Sequence, residues 1–234
     1  MQSVLFSIPA SILKTKQKAS RGDGFPQALD LRAHRTISWL AAAESMKADS
    51  DVCFILLWVG FNAAYADGDA GPNSPGDRKL FKQFLAKLSR FDKKSRVQDA
   101  TWNRYRAEIE SLICSKYLFS PFWMYQNGAK GFDDWSIWFD RSRSETAFII
   151  RQRDTAKILA IVFDCLYVLR NQLLHGGTTW KSSVNRRQVE DGLAVISWML
   201  PLFVDIMLEN PGFDWGEPFY PVVEKLPYCP SASG

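Results

Sequence analysis

Histidine is almost absent from this chain: the 234 residues hold only two, His34 and His175. Cysteine is sparse too. Cys53, Cys114, Cys165 and Cys229 lie far apart, and no pair has the short spacing of metal ligands. With so few donors, no metal site and no cofactor are expected, and the thiols read as reduced cysteines of a cytoplasmic protein. Long apolar runs are also missing. The nearest to one, Ile158 to Leu169, is too short to cross a bilayer and contains Asp164, so no membrane span is expected. The N-terminus lacks the charge order of a secretory signal, because Lys14, Lys16 and Lys18 follow its apolar start. No alternating segment of useful length and no internal repeat is present, which argues against strands and solenoids. Nor is there a charge excess that names a partner: a net charge of +4 permits RNA without requiring it.

What the chain has in quantity is apolar material at helical spacing. At 47% hydrophobic residues it can fill the core of one large domain. Ala28, Leu31, Ile37, Leu40 and Ala41 predict a helix over 27–47. Ser50 is a candidate N-cap for a second helix over 51–66, apolar on every side from Phe54 to Phe61 and therefore central. The stretch 67–76, rich in Asp, Gly and Pro, reads as a solvated turn and lacks the closing Glu of a calcium loop. A third helix puts Leu80, Phe81, Phe84, Leu85, Leu88 and Phe91 on one face and a basic row on the other. Ser95 with Gln98 suggests a capping box opening a fourth helix that runs to about residue 117. Aromatic rings crowd residues 118–141, an excursion expected to pack onto the frame. Ser142 with Glu145 suggests another box and the longest helix, 144–174, closed by Gly176 and Gly177. A last helix is expected over 184–208, kinked by Pro201. The expectation is an all-α bundle: a flexible arm over 1–25, a helical domain over 26–212 and an extended tail over 213–234.

At the end of that longest helix stands Arg170-Asn171-Gln172-Leu173-Leu174-His175-Gly176-Gly177. Arginine, a polar residue, a short spacer and histidine at a helix end resemble the motif of the HEPN superfamily (higher eukaryotes and prokaryotes nucleotide-binding domain). The Phe54 to Tyr65 segment, with Trp58, Phe61 and Asn62, also looks like the early helix of some bacterial members. The aromatic excursion and the tail have no such counterpart. The resemblance implies a HEPN-like bundle acting as a homodimer, with two motifs joined across the interface into one cleft. It further implies a metal-independent endoribonuclease of toxin–antitoxin or antiviral systems, with an antitoxin or regulatory protein as a further partner.

The residue types suit that chemistry. RNA is cut without a metal when its 2′-hydroxyl attacks the adjacent phosphate, which needs a base, an acid and positive charge. Histidine as a residue type can serve as base or acid near neutral pH, which makes His175 the candidate for that role. Arg170 offers a permanent planar cation for phosphoryl oxygens, and Asn171 can donate to phosphate or hold a neighbour. Lys181, Arg186 and Arg187 follow closely and are candidates to track an RNA backbone. Five helical residues turn the chain by about 500°, so Arg170 and His175 would stand about 140° apart. Either the helix loosens at His175, or the site is composite. Other readings stay open: a non-catalytic HEPN module binding nucleotide, RNA or protein, or cations placed at a helix C-terminus by its dipole alone. His34 and Arg35 read as a surface pair, and Asp164 has no assigned role.

Overall fold

Two segments too apolar to face water organise the chain. The computed structural model describes residues 5–67 and 76–222. They form the expected all-α bundle, with ten α-helices and no strand among the described residues, only an isolated bridge between Asp67 and Pro218. The helices are α1 (Ala10–Ser20), α2 (Gln27–Ser45), α3 (Ser50–Tyr65), α4 (Asp77–Phe91), α5 (Arg96–Asp99), α6 (Arg106–Ile113), α7 (Ser120–Gln126), α8 (Trp135–Gln152), α9 (Thr155–Leu174) and α10 (Arg186–Glu209).

The centre is made by α3 and α10. In α10 every residue from Val195 to Leu208 except Trp198 is buried, Pro201 included. It is the one helix among the described residues long and apolar enough to cross a membrane, and 83% of its apolar window is covered by the bundle, as a core helix requires. Phe61 of α3 packs in tilted and edge-on contacts against Phe81, Phe84, Phe163 and Phe203 at centroid distances of 4.5–6.3 Å, tying α4, α9 and α10 to it. Gly192 lets α9 approach: a Cβ there would lie 3.0 Å from both Leu166 and Leu169.

Several local expectations are corrected. Residues 10–20 are not a loose arm: Leu13 and Gln17 of α1 are fully buried, and Gln17 donates to the Asp30 carbonyl and carboxylate at 2.8 Å. Lys16 reaches Asp205 at 2.5 Å, Arg96 joins the same carboxylate, and Glu209 meets Lys94 at 2.6 Å. The caps are aspartates, not the serines that follow them. Asp49 accepts from the Val52 N–H, while Asp92 accepts from Arg96, Val97 and Gln98 with Ser95 in the left-handed region. The helix expected over 144–174 is two. Arg153 turns left-handed at φ 52° and Asp154 caps a fresh start, so Ser142 lies inside α8 and accepts from Thr146 through its carbonyl. The expected fourth helix ends at Ile113 and is widened by a π-turn over Ala100–Arg104, where the Tyr105 N–H reaches the Ala100 carbonyl.

The described part of the tail, 213–222, is clamped. The fully buried Arg32 guanidinium donates to the carbonyls of Ala64, Gly216 and Glu217. Gly216 is at φ 83°, and a Cβ there would come within 2.5 Å of the Asp67 carboxylate, so only glycine fits. Trp215 is buried against Phe84 and Phe91. The rest of the tail and the turn over 68–75 lie outside the described residues.

Burial pushes the Asp205 carboxyl upward, but hydrogen bonds and charge from Lys16 and Arg96 outweigh it and hold it below the usual carboxylate range. A depressed folded-state pKa gives stability that is present above the unfolded value near 4 and lost as pH falls through the folded one. Asp205→Asn should therefore lower stability at pH 7 by about 2 kcal/mol and flatten the acid limb below pH 4. Urea unfolding of both proteins between pH 2.5 and 7 measures this. Parallel curves would show that the cluster contributes nothing.

Candidate functional site

The helix that carries the motif ends where the sequence says it should. Its last turn is closed by the His175 N–H on the Asn171 carbonyl at 3.0 Å and the Gly177 N–H on the Gln172 carbonyl at 2.8 Å. Gly176 sits at φ 69°, and a Cβ on Gly177 would press on the Gln172 backbone at 3.2 Å, so both glycines are needed for this six-to-one closure. His175, at φ −95° and ψ 12°, has left the helix. Its side chain is exposed and makes no polar contact among the described residues.

Arg170 lies five residues back and is partly buried. Its Nη1 donates to the Asn171 Oδ1 at 2.9 Å, while its buried Nε has no partner. Asn171 therefore orients the arginine, and an unpaired guanidinium donor of this kind calls for an explanation. No hydrogen bond or ion pair joins Arg170 to His175. Gln172 is tied to the Tyr117 carbonyl at 2.6 Å, which fixes the helix end to the aromatic segment.

The basic row of α4, seen in the sequence but not connected to the motif there, is brought against the motif helix. Arg78 covers the Tyr167 ring at 4.9 Å and Arg170 approaches it at 6.0 Å. Asp164 takes Lys82 at 2.5 Å and Arg78 at 3.6 Å, which answers the question of its role: it balances α4, not Arg170.

The three cations proposed to follow RNA are placed differently. Arg186 binds the buried Asp51 through Nη2 at 2.8 and 3.0 Å and is a structural residue. Lys181 gives its backbone N–H to the same carboxylate at 2.7 Å, and its ammonium stands 3.7 Å from Asp49. Arg187 is largely exposed and only loosely paired with Asp191 at 3.6 Å. Of the three, Arg186 is spent, whereas Lys181 and Arg187 are only loosely paired and keep their charged heads in water. Asp49, held below the usual carboxylate range chiefly by the Val52 N–H, also accepts the Trp180 indole N–H at 2.9 Å. His34 sits 2.7 Å from the Lys14 ammonium, a surface pair.

Burial pushes Cys53 and Cys165 up to about 12, so both stay protonated near neutrality. Among the described residues no three His, Cys, Asp or Glu side chains gather as a metal would need. Two surface clefts, about 550 Å³ beside Cys114 and Arg143 and about 460 Å³ beside Trp39 and Asn62, include neither Arg170 nor His175. The motif is an open ledge at the end of the bundle.

No family model matches the chain, and neither a curated protein nor a solved structure matches it.

Asp51→Ala leaves the Arg186 guanidinium and the Lys181 N–H without partners at the base of the 176–185 loop. Stability should fall by about 3 kcal/mol, and amide exchange at Lys181 should quicken by more than that of α3 and α10, which follows the global loss alone. Unchanged exchange would show that the loop is held some other way.

Proposed function

We propose that the chain is a metal-independent endoribonuclease of the HEPN kind, cytoplasmic and active as a homodimer in toxin–antitoxin or antiviral defence. One observation carries the reading: His175, in a chain almost without histidine, is held exposed and unpartnered by a closed glycine turn, five residues after an arginine oriented by its neighbouring asparagine. A histidine serving only stability has no need of that setting.

The reaction needs few groups. His175 takes the proton of the 2′-hydroxyl, the 2′-oxygen bonds to phosphorus, and the 5′-oxygen leaves with a proton, giving a cyclic phosphate and a 5′-hydroxyl. Arg170 faces the charge that grows on the phosphoryl oxygens. An acid must protonate the leaving oxygen. The chain's other imidazole, His34, is engaged with Lys14 on α1 and α2. The partner subunit's His175 is the group of the right chemistry, and a dimer that apposes the two ledges supplies both roles. The alternative, a HEPN module that binds nucleotide, RNA or a protein partner without cutting, is favoured by the open shape of the ledge in a single subunit.

Purified protein incubated with mixed RNA in EDTA should cut it to fragments with cyclic phosphate ends. His175→Ala should lower the rate at least about 10³-fold with the fold retained by circular dichroism, as expected for a group that moves a proton. Arg170→Ala should weaken both turnover and RNA affinity. Cutting that disappears with EDTA would overturn the mechanism. Binding without cutting by wild type would favour the alternative.

A further inference from the structure

Trp180 is out of place for a hydrophobic side chain. It stands in a loop of threonine, serine and lysine, with 68% of its surface exposed, five residues beyond His175. It is not loose. The indole N–H is fixed on Asp49 at 2.9 Å, at the N-cap of the central helix α3. The next residue, Lys181, is held in the left-handed region at φ 55° by its N–H bond to buried Asp51, itself anchored by Arg186. The Lys181 ammonium lies 4.4 Å from the indole centroid. A large ring is thus pinned by its edge, beside a loop anchored on Asp51, with part of its π-surface facing water and a cation over it.

We propose that Trp180 is a stacking platform for a base of single-stranded RNA next to the bond cut at His175, with Lys181 beside it to meet the adjoining phosphate. This rests on the ribonuclease reading for its substrate and adds the residue that holds it. The chemistry follows from the geometry. A rigid exposed indole costs little to order on binding, and any base offers it a π-face. The cations around the motif are mostly spent: Arg186 on Asp51, and Arg78 and Lys82 on Asp164. Phosphate attraction alone is therefore a weak handle, and a ring that grips the base makes up for it. Splayed single strands can reach such a ring, whereas paired bases cannot. The ring recognises unpaired RNA and little of its sequence.

The test separates binding from cutting. His175→Ala protein, which should not consume the probe, is titrated with a fluorescent single-stranded oligouridylate, with a duplex of the same length and with a fully abasic oligomer. Adding Trp180→Ala should weaken oligouridylate binding about tenfold, while Trp180→Phe keeps it within about threefold of the parent, since a ring is what matters. The abasic oligomer should bind equally to parent and Trp180→Ala. Trp180 is exposed, so both variants should keep the parent's melting temperature. As a second readout, the emission lost in Trp180→Phe should be the part that oligouridylate quenches. Oligouridylate affinity unchanged by Trp180→Ala overturns the platform, as does an equal loss on the abasic oligomer. A change in subunit association without a change in RNA affinity overturns it too, and makes the ring a protein contact. Trp180-dependent binding by a protein that never cuts RNA would uphold the platform and bring down the nuclease. Cutting of single-stranded RNA that ignores Trp180 would do the reverse.

Discussion

Two helices that cannot face water set the terms for everything else in this fold. α3 and α10 carry apolar residues around their whole circumference for much of their length, and burying them is worth roughly 25 cal/mol for each Å² of apolar surface removed from water. Neither can be satisfied by one neighbour. α1, α2, α4, α6 and α9 therefore each contribute one apolar face and keep a polar one outside. Where α10 does carry a charge, at Asp205, Lys16 of α1 and Arg96 of α5 are brought in to meet it. The N-terminal helix is part of the bundle for that reason. α8 is the contrast: of its residues only Thr146 is buried, because the two central helices are already enclosed without it.

The same logic shows why some of the fold could be read from the sequence and some could not. α2, α3, α4 and α10 were legible because their apolar spacing is regular and they meet the core directly. The end of α9 was legible because a left-handed turn after a helix asks for glycine, and Gly176 supplies it. α1 escaped notice because three lysines dominate its short pattern, and the partner that gives Lys16 its place, Asp205, lies 189 residues away. The break between α8 and α9 falls on Arg153, a left-handed residue without the glycine that would have announced it. At Asp49 and Asp92 a carboxylate took the capping role from a serine one and three residues later. A local pattern does not say which of two competent side chains will turn inward.

The candidate site divides along the same line. Arg170, Asn171 and His175 were found because they are close in sequence and stand at a helix end. What the sequence could not disclose was which surrounding cations are free. Arg186 looked like a phosphate contact, yet it is the counterion of Asp51, 135 residues earlier. Lys82 looked like part of a distant basic face, yet together with Arg78 it lies along the motif helix beside Tyr167 and Asp164. Charge in the sequence is a count, whereas charge available to a ligand is what remains after pairing.

That difference bears on how such a ledge can work. A nuclease that relied on a broad cationic track would leave its arginines unpaired and accept any polyanion, including duplex nucleic acid. Here carboxylates quench most of that field near the motif, and Arg170 and His175 are left without an acidic partner. If the proposed reaction takes place here, the Arg170 guanidinium would stand unquenched where a phosphorane would form, which would favour the transition state over mere adhesion. Substrate retention must then come from something other than charge. In the proposed nuclease the means at hand would be the exposed, edge-fixed indole of Trp180 and the apposed ledge of a second subunit. Both would act only on a strand whose bases are unpaired and whose backbone can bend into the proposed cleft. Discrimination for flexible RNA is in this view a consequence of ion pairs that also hold the bundle together.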